Sequence, residues 1–153
     1  MKDDVREIEA RLESLADTPE LATERIDLMI KLAGRLFNAD AERATAVNRE
    51  IRERAQRAGY AEGLAHSTRI EGLLRYQAAD LPQALEVLDM AGAQARGLGD
   101  KRLLMSIYKT YADAWGLMGD TARSGEYAAL FAAAESDLRS QGIGGQDGPA
   151  SDA

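Results

Sequence analysis

The sequence contains few of the side chains that perform catalysis or bind metal ions. It has one histidine, His66, and no cysteine, whereas zinc sites and nucleophile–histidine pairs need several such residues. Glu7 and Glu9 form a carboxylate pair, but the charged residues around them predict a solvated helix face, where nothing prepares a carboxyl group for acid catalysis. We therefore expect a protein that is not an enzyme and that has neither a metal ion nor a cofactor.

A glycine-rich segment near the C-terminus, GIGGQDG at residues 142–148, has the composition of a phosphate-binding loop. Such loops follow a strand and open a helix, and neither pattern flanks this segment. Glycine, serine, proline and acidic residues dominate this end of the chain, which is typical of flexible connections. We therefore expect residues 141–153 to be a flexible tail or linker.

Four arginines cluster in residues 48–58, NREIRERAQRA: Arg49, Arg52, Arg54 and Arg57. Glu50 and Glu53 precede the last two by four residues, the spacing at which opposite charges pair on a helix. The chain as a whole carries a net charge of -7, which repels nucleic acid phosphates and anionic lipids. The arginines therefore predict a solvated helix face, and we expect neither nucleic acid nor a membrane as a partner.

The N-terminal residues MKDDVREIEA carry charges where a signal peptide needs an apolar core. The longest apolar run, AALFAAA at residues 128–134, is much shorter than a membrane span. The absence of cysteine fits a reducing compartment. We expect a cytoplasmic protein.

Residues of matching type recur along the chain at a spacing of 40. Asp40, Asp80 and Asp120 form the first series. A small residue follows each aspartate by four positions, and a glycine follows the first two by nineteen: Ala44, Ala84, Ser124, Gly59 and Gly99. A fixed period of this length is typical of a repeat array, so the sequence predicts three repeats.

Each repeat is long enough for two helices of roughly 17 residues joined by short turns. Thr18-Pro19 predicts a helix start, Asp80 with Gln83 resembles a capping box, and the recurring glycines predict helix ends. No segment alternates as a strand does. We expect an all-α protein of three antiparallel helix pairs, at about 18–59, 60–99 and 100–140. An amphipathic helix at 1–17 would cap the first pair, with one apolar face formed by Val5, Ile8, Leu12 and Leu15.

Two segments, YADAWGLMGDTARSGEY and IEGLLRYQAADLPQALEVLDMA, resemble tetratricopeptide (TPR) repeats. They place small residues at the family's two close-packing positions, Gly72 and Ala112 in the first helix and Ala84 and Ser124 in the second, with Leu88 four residues further on. The period is 40 instead of 34, Leu32 occupies a small position, and the proline that ends the family's repeat is missing. The sequence is therefore similar to the longer bacterial repeats of transcription activators and of regions that precede cyclase or kinase domains.

This resemblance implies a right-handed superhelix whose first helices line a concave groove that binds a partner protein. In this register the groove residues are Met29, Ala33, Leu36, Phe37, His66, Arg69, Leu73, Tyr76, Lys109 and Asp113. They suit a peptide with an apolar anchor and an acidic group. Two simpler interpretations stay open: His66 as a partly exposed residue without a task, and Lys109 paired with Asp113 at four-residue spacing.

The third repeat is the most aromatic, and no polar helix follows Arg139 to cover it. Solenoid repeats are buried only by their neighbours, so we expect a homodimer that forms through this end. The contact residues would be Tyr127, Leu130, Phe131 and Leu138. The alternative function is therefore a dimerising or sensory N-terminal region of a longer bacterial signalling protein. The sequence identifies neither the partner nor any chain beyond Ala153.

Overall fold

The computed structural model of the chain describes residues 2–142. These residues form seven α-helices, one 3-10 turn and no strand, which confirms the all-α prediction. The predicted tail at 141–153 lies outside the described residues from residue 143 onward. The elements are α1 (Lys2–Ser14), the 3-10 turn (Pro19–Leu21), α2 (Ala22–Leu36), α3 (Ala41–Ala58), α4 (Ala61–Gln77), α5 (Leu81–Leu98), α6 (Lys101–Leu117) and α7 (Thr121–Ser140).

The predicted turns lie at the predicted aspartates. Asp40, Asp80 and Asp120 directly precede α3, α5 and α7. The carboxylates of Asp40 and Asp120 each accept a hydrogen bond of 3.0 Å from the backbone N–H three residues later. These bonds satisfy N–H groups that have no partner inside the helix. Asp100 caps α6 in the same way, with a bond of 2.9 Å from Leu103 N.

Left-handed backbone ends several helices. Gly59 and Gly99 adopt φ values of 64° and 68° after α3 and α5, as the sequence predicts. Gly119 ends the turn after α6 with a φ of 85°. Forty residues earlier, at the equivalent position between α4 and α5, Ala79 adopts a φ of 63°. An L side chain is disfavoured in this conformation because Cβ approaches the following carbonyl oxygen.

The chain divides into two compact units within α5, after Val87, and this division does not follow the predicted repeat boundaries. In the first unit α3 packs against both α2 and α4, and α1 packs against α2. The buried side chains form two clusters: Ile26, Met29, Ala33, Ile51, Ala55 and Ile70, and then Ile8, Leu28, Leu32, Leu36 and Ala44. The predicted apolar face of α1 contributes Ile8 to the second cluster, with Val5, Leu12 and Leu15 packed around it.

Small residues allow the helices to approach closely. A Cβ atom on Gly63 of α4 would lie 3.1 Å from both Ala55 Cβ and Ile26 Cγ2. In the second unit α6 packs against α7, and a Cβ atom on Gly116 would lie 3.3 Å from Ser124 Oγ. Ser124 Oγ donates a 2.9 Å hydrogen bond to the Ala112 carbonyl oxygen. The predicted small position in α7 is therefore a point of close contact.

Reciprocal substitutions at the two equivalent turns test the effect of the left-handed backbone. Ala79→Gly should increase the free energy of unfolding and Gly119→Ala should decrease it. Each change should be about 0.5–1 kcal/mol, because the greater entropy of glycine in the unfolded chain offsets part of the backbone effect. Urea denaturation followed by circular dichroism measures both. Gly34→Ala in α2 is the control: an added Cβ meets nothing within 4 Å and φ is not positive, so alanine should stabilise the helix. The same sign of change at residues 79 and 119 would contradict this interpretation.

Candidate binding cleft

Three apolar members of the predicted groove, Met29, Ala33 and Leu36, lie in the core of the first unit. Met29 is 5% exposed and packs in the cluster with Ile26, Ala33 and Ile70. Leu36 is buried in the second cluster. The assignment of Met29, Ala33 and Leu36 to a binding surface is wrong, because the apolar circumference of α2 is covered by neighbouring helices. Phe37 is half-buried against the second cluster.

The predicted groove positions on α4 and α6 are more accessible. His66, Arg69, Leu73 and Tyr76 are all half-buried along α4. On α6, Lys109 Nζ lies 3.8 Å from Asp113 Oδ2, and both side chains are exposed. The structure therefore contains the Lys109–Asp113 ion pair that the simpler interpretation predicted. A groove that joins them to α4 stays a prediction.

The four residues predicted to mediate self-association differ in their exposure to solvent. Leu138 is 2% exposed, so its assignment to a contact surface is wrong: it is part of the core. Tyr127 is half-buried and stacks on Tyr111, with ring centroids 4.5 Å apart. Phe131 is half-buried. Leu130 alone of the four is exposed, at 40%.

A cleft of about 410 Å³ lies between α3 and α4 in the first unit. The sequence does not predict this cleft, because the arginines of α3 have the spacing typical of a solvated helix face. Charged and polar side chains dominate its walls, and Leu74 and Ala78 add an apolar strip. Its lining residues are Thr45, Asn48, Arg49, Arg52, Glu71, Leu74, Arg75, Ala78 and Asp80.

Opposite charges pair across this cleft and along its α4 side. Glu71 accepts hydrogen bonds from Arg52, at 3.2 Å, and from Arg75, at 3.3 Å. Arg75 also lies 3.6 Å from Asp80. The side chains are partly exposed, so each pair contributes only about 0–1 kcal/mol. Their main effect is to hold four of the five charged side chains of the cleft in place.

Arg49 is the exception among the charged residues of the cleft. It lies one helical turn before Arg52, is exposed, and forms no ion pair with any residue that the structure describes. The cleft contains three arginines and two carboxylates, so it carries one positive charge in excess. This excess stands out in a chain with a net charge of -7.

Asn48 lies at the base of the cleft and is 7% exposed. Its Nδ2 donates a 3.1 Å hydrogen bond to the Ser67 carbonyl oxygen and so joins α3 to α4. Its Oδ1 accepts no hydrogen bond and is shielded from water. A buried acceptor without a donor costs about 1–3 kcal/mol, and such a cost in a core position makes Asn48 a candidate functional residue. The signal in the sequence is a polar residue within the apolar series Ala44, Ile51 and Ala55.

A second cluster of charges lies where the segment between α1 and α2 meets the end of α3. Arg54 donates to both carboxylate oxygens of Asp17, at 2.9 and 3.1 Å, and to Glu50 at 2.8 Å. Arg25 Nη2 donates to the Leu15 carbonyl oxygen at 2.6 Å. The predicted Glu50–Arg54 pair is thus present, but the larger role of Arg54 is to hold the N-terminal segment. A cavity of about 520 Å³ adjoins this cluster and is lined by Asp17, Thr18, Pro19, Ala22, Thr23, Arg54, Arg57 and Ala58.

Comparison of the chain with protein-family models, with curated proteins and with solved structures finds no match. Within the described residues no helix combines the length and the apolar character needed to cross a membrane. The same part of the chain contains no group of three or more histidine, cysteine, aspartate or glutamate residues placed to hold a metal ion.

The Asp17–Arg54 contact predicts a dependence of stability on pH. The hydrogen bonds from Arg54 hold the pKa of Asp17 below its ordinary value. A carboxyl group whose pKa is lower in the folded state stabilises the fold above its unfolded pKa, at about pH 4, and loses this contribution as the pH falls through the folded value. Asp17→Asn should therefore lower stability at neutral pH and have a smaller effect below about pH 3.

Urea denaturation at several pH values measures this difference. Glu86→Gln is the control, because Glu86 is exposed on α5 and forms no ion pair with a described residue. A loss of stability from Asp17→Asn that is equal at all pH values would show that the contact contributes through hydrogen bonding alone.

Proposed function

We propose that the chain is a non-catalytic, TPR-like interaction module that binds a segment of a partner protein. The observation that supports this most directly is the α3–α4 cleft. Its volume lies within the range of about 300–1,000 Å³ typical of ligand sites. Helices form both walls, an apolar strip lies between charged groups, and one arginine has no carboxylate partner among the residues that the structure describes.

The proposal differs from the sequence prediction in the position of the binding surface. Met29, Ala33 and Leu36 are buried, so of the four apolar groove residues predicted in the first repeat only Phe37 keeps exposed surface. The α3–α4 cleft offers Leu74 and Ala78 as an alternative apolar contact beside Arg49. The recurring turns and small residues support the TPR-like character. We also propose that the protein is cytoplasmic.

Site-specific photocrosslinking tests the proposal. A benzoylphenylalanine in place of Thr45, which is exposed at the edge of the cleft, should capture a partner in cells of the source organism. The same probe in place of Lys31, which is exposed on α2 outside the cleft, is the control. Mass spectrometry then identifies the crosslinked segment of the partner.

A synthetic copy of that segment should bind in calorimetry with a stoichiometry of one. Arg49→Ala should weaken this binding about two- to tenfold, as expected for an exposed ionic contact, without a change in melting temperature. Equal crosslinking from the probes at residues 45 and 31 would contradict the assignment of the cleft.

The second unit favours self-association as an additional function. Every large apolar side chain that is clearly exposed within the described residues belongs to this unit: Met90, Leu98, Leu117, Met118 and Leu130. On α7, the only buried residue is Leu138. Exposed apolar surface of this kind is typical of contact regions, and two-fold pairing is the commonest arrangement of identical chains. We therefore keep the homodimer as part of the proposal, with Leu130 retained and Leu138 removed from its predicted contact.

Light scattering at micromolar concentration tests this second function. The wild-type chain should have the mass of a dimer, and Leu130→Glu should have the mass of a monomer with unchanged helical circular dichroism, because the charge is placed on an exposed apolar position. Ala46→Glu, at an exposed position of α3 in the first unit, is the control and should stay dimeric. A monomeric wild-type chain would overturn the dimer.

A further inference from the structure

We propose that the α3–α4 cleft selects partner segments in which a carboxylate lies next to an apolar side chain, and that Arg49 binds the carboxylate. This inference rests on the proposed function and names the chemistry that the cleft recognises. The charged side chains of the cleft and the apolar strip beside them support the inference.

Arg49 is the group that an entering anion can bind without displacing a protein contact. Arg52 and Arg75 already share Glu71, and Arg75 also faces Asp80. A carboxylate that pairs with Arg49 leaves these contacts intact and balances the three arginines of the cleft against three carboxylates. A basic segment would have to compete with Arg52 and Arg75 for Glu71, and it would also be repelled by the guanidinium of Arg49, which has no carboxylate partner among the described residues.

The charge of the whole chain restricts the anion further. A net charge of -7 repels a polyanion at long range, whereas a single carboxylate is attracted by the local excess within the cleft. Binding of a nucleic acid requires the neutralisation of several phosphates, and Arg49 is the one arginine of the cleft without a carboxylate partner among the described residues. The arrangement therefore favours one carboxylate on a protein segment.

The apolar strip gives the second part of the specificity. Leu74 is half-buried, packs against both core clusters of the first unit, and presents its remaining surface to the cleft. Ala78 follows one turn later and is exposed. An apolar side chain laid on this strip removes both surfaces from water, which stabilises the complex in proportion to the area covered. The neighbouring carboxylate then fixes the register of the segment.

Nuclear magnetic resonance titration with short peptides tests the inference. The probes are Ac-Leu-Asp-Leu-NH2, its neutral counterpart Ac-Leu-Asn-Leu-NH2, its basic counterpart Ac-Leu-Lys-Leu-NH2, and Ac-Leu-Leu-Leu with a free C-terminal carboxylate. The aspartate peptide should shift amide signals of residues 45–52 and 71–78 and bind about three- to tenfold more tightly than the asparagine peptide. The lysine peptide should bind most weakly. Binding of either carboxylate supports the inference, and the tighter of the two identifies whether a side chain or a chain end supplies the group.

Two arginine variants of α3 form a matched pair for this titration. Arg49→Gln should remove the preference for aspartate over asparagine. Arg57→Gln should leave that preference unchanged, because Arg57 is also exposed and forms no ion pair with a described residue but lies outside the cleft. An equal loss in both variants would overturn the inference, because a general effect of net charge would then explain it.

The outcomes separate this inference from the proposed function. Equal affinities for the aspartate and asparagine peptides, together with specific crosslinking at residue 45, would overturn the inference and leave the binding module in place. The absence of shifts with every peptide, together with the absence of crosslinking, would overturn both. Tighter binding of a single-stranded oligoribonucleotide at the same amides would overturn the assignment to a protein segment.

Discussion

Burial of α3 against two neighbouring helices is the constraint on which the first unit depends. Ile51 and Ala55 are completely buried and share a cluster with residues of α2 and α4. Apolar side chains in such a position stabilise the fold through the area they remove from water, and the close approach at Gly63 requires that no side chain separate α4 from α3. The two flanks of α3 are consequently held beside other elements, and two of the arginines that project from them, Arg52 and Arg54, meet carboxylates far away in the sequence.

The four arginines of α3 are divided by this packing into fixed and available groups. Arg52 is held by Glu71, and Arg54 is held by Asp17 and Glu50. Arg49 and Arg57 each line a cavity and form no ion pair with a described residue. A single helix thus anchors the N-terminal segment, joins α3 to α4, and presents cations to two surfaces. The same residue type serves for stability and for recognition, and the distinction depends on which carboxylates lie within reach.

Asn48 connects the core to the candidate cleft. A polar side chain among buried residues lowers stability unless its groups are paired, and only its amide nitrogen is paired in the structure. An apolar residue at this position would extend the stripe of α3 without that cost. Asn48 lies at the base of the cleft, so the residue that lowers the stability of the fold is part of the surface proposed to bind a partner. Such residues are common at functional sites.

The sequence by itself determined the helical class and the positions of the three recurring turns. The period of 40 residues located the turns at Asp40, Asp80 and Asp120, because helix capping and left-handed helix ends depend on residues a few positions apart. It also identified the apolar face of α1, since that pattern is local. Only the tertiary structure decided which apolar residues are buried: Met29 and Leu138 lie in the core, whereas Leu130 is exposed. Only the tertiary structure brought Arg52 to Glu71 and Arg54 to Asp17, which are 19 and 37 residues apart. Pairings over such separations depend on how helices pack, and helical spacing along one segment contains no information about them.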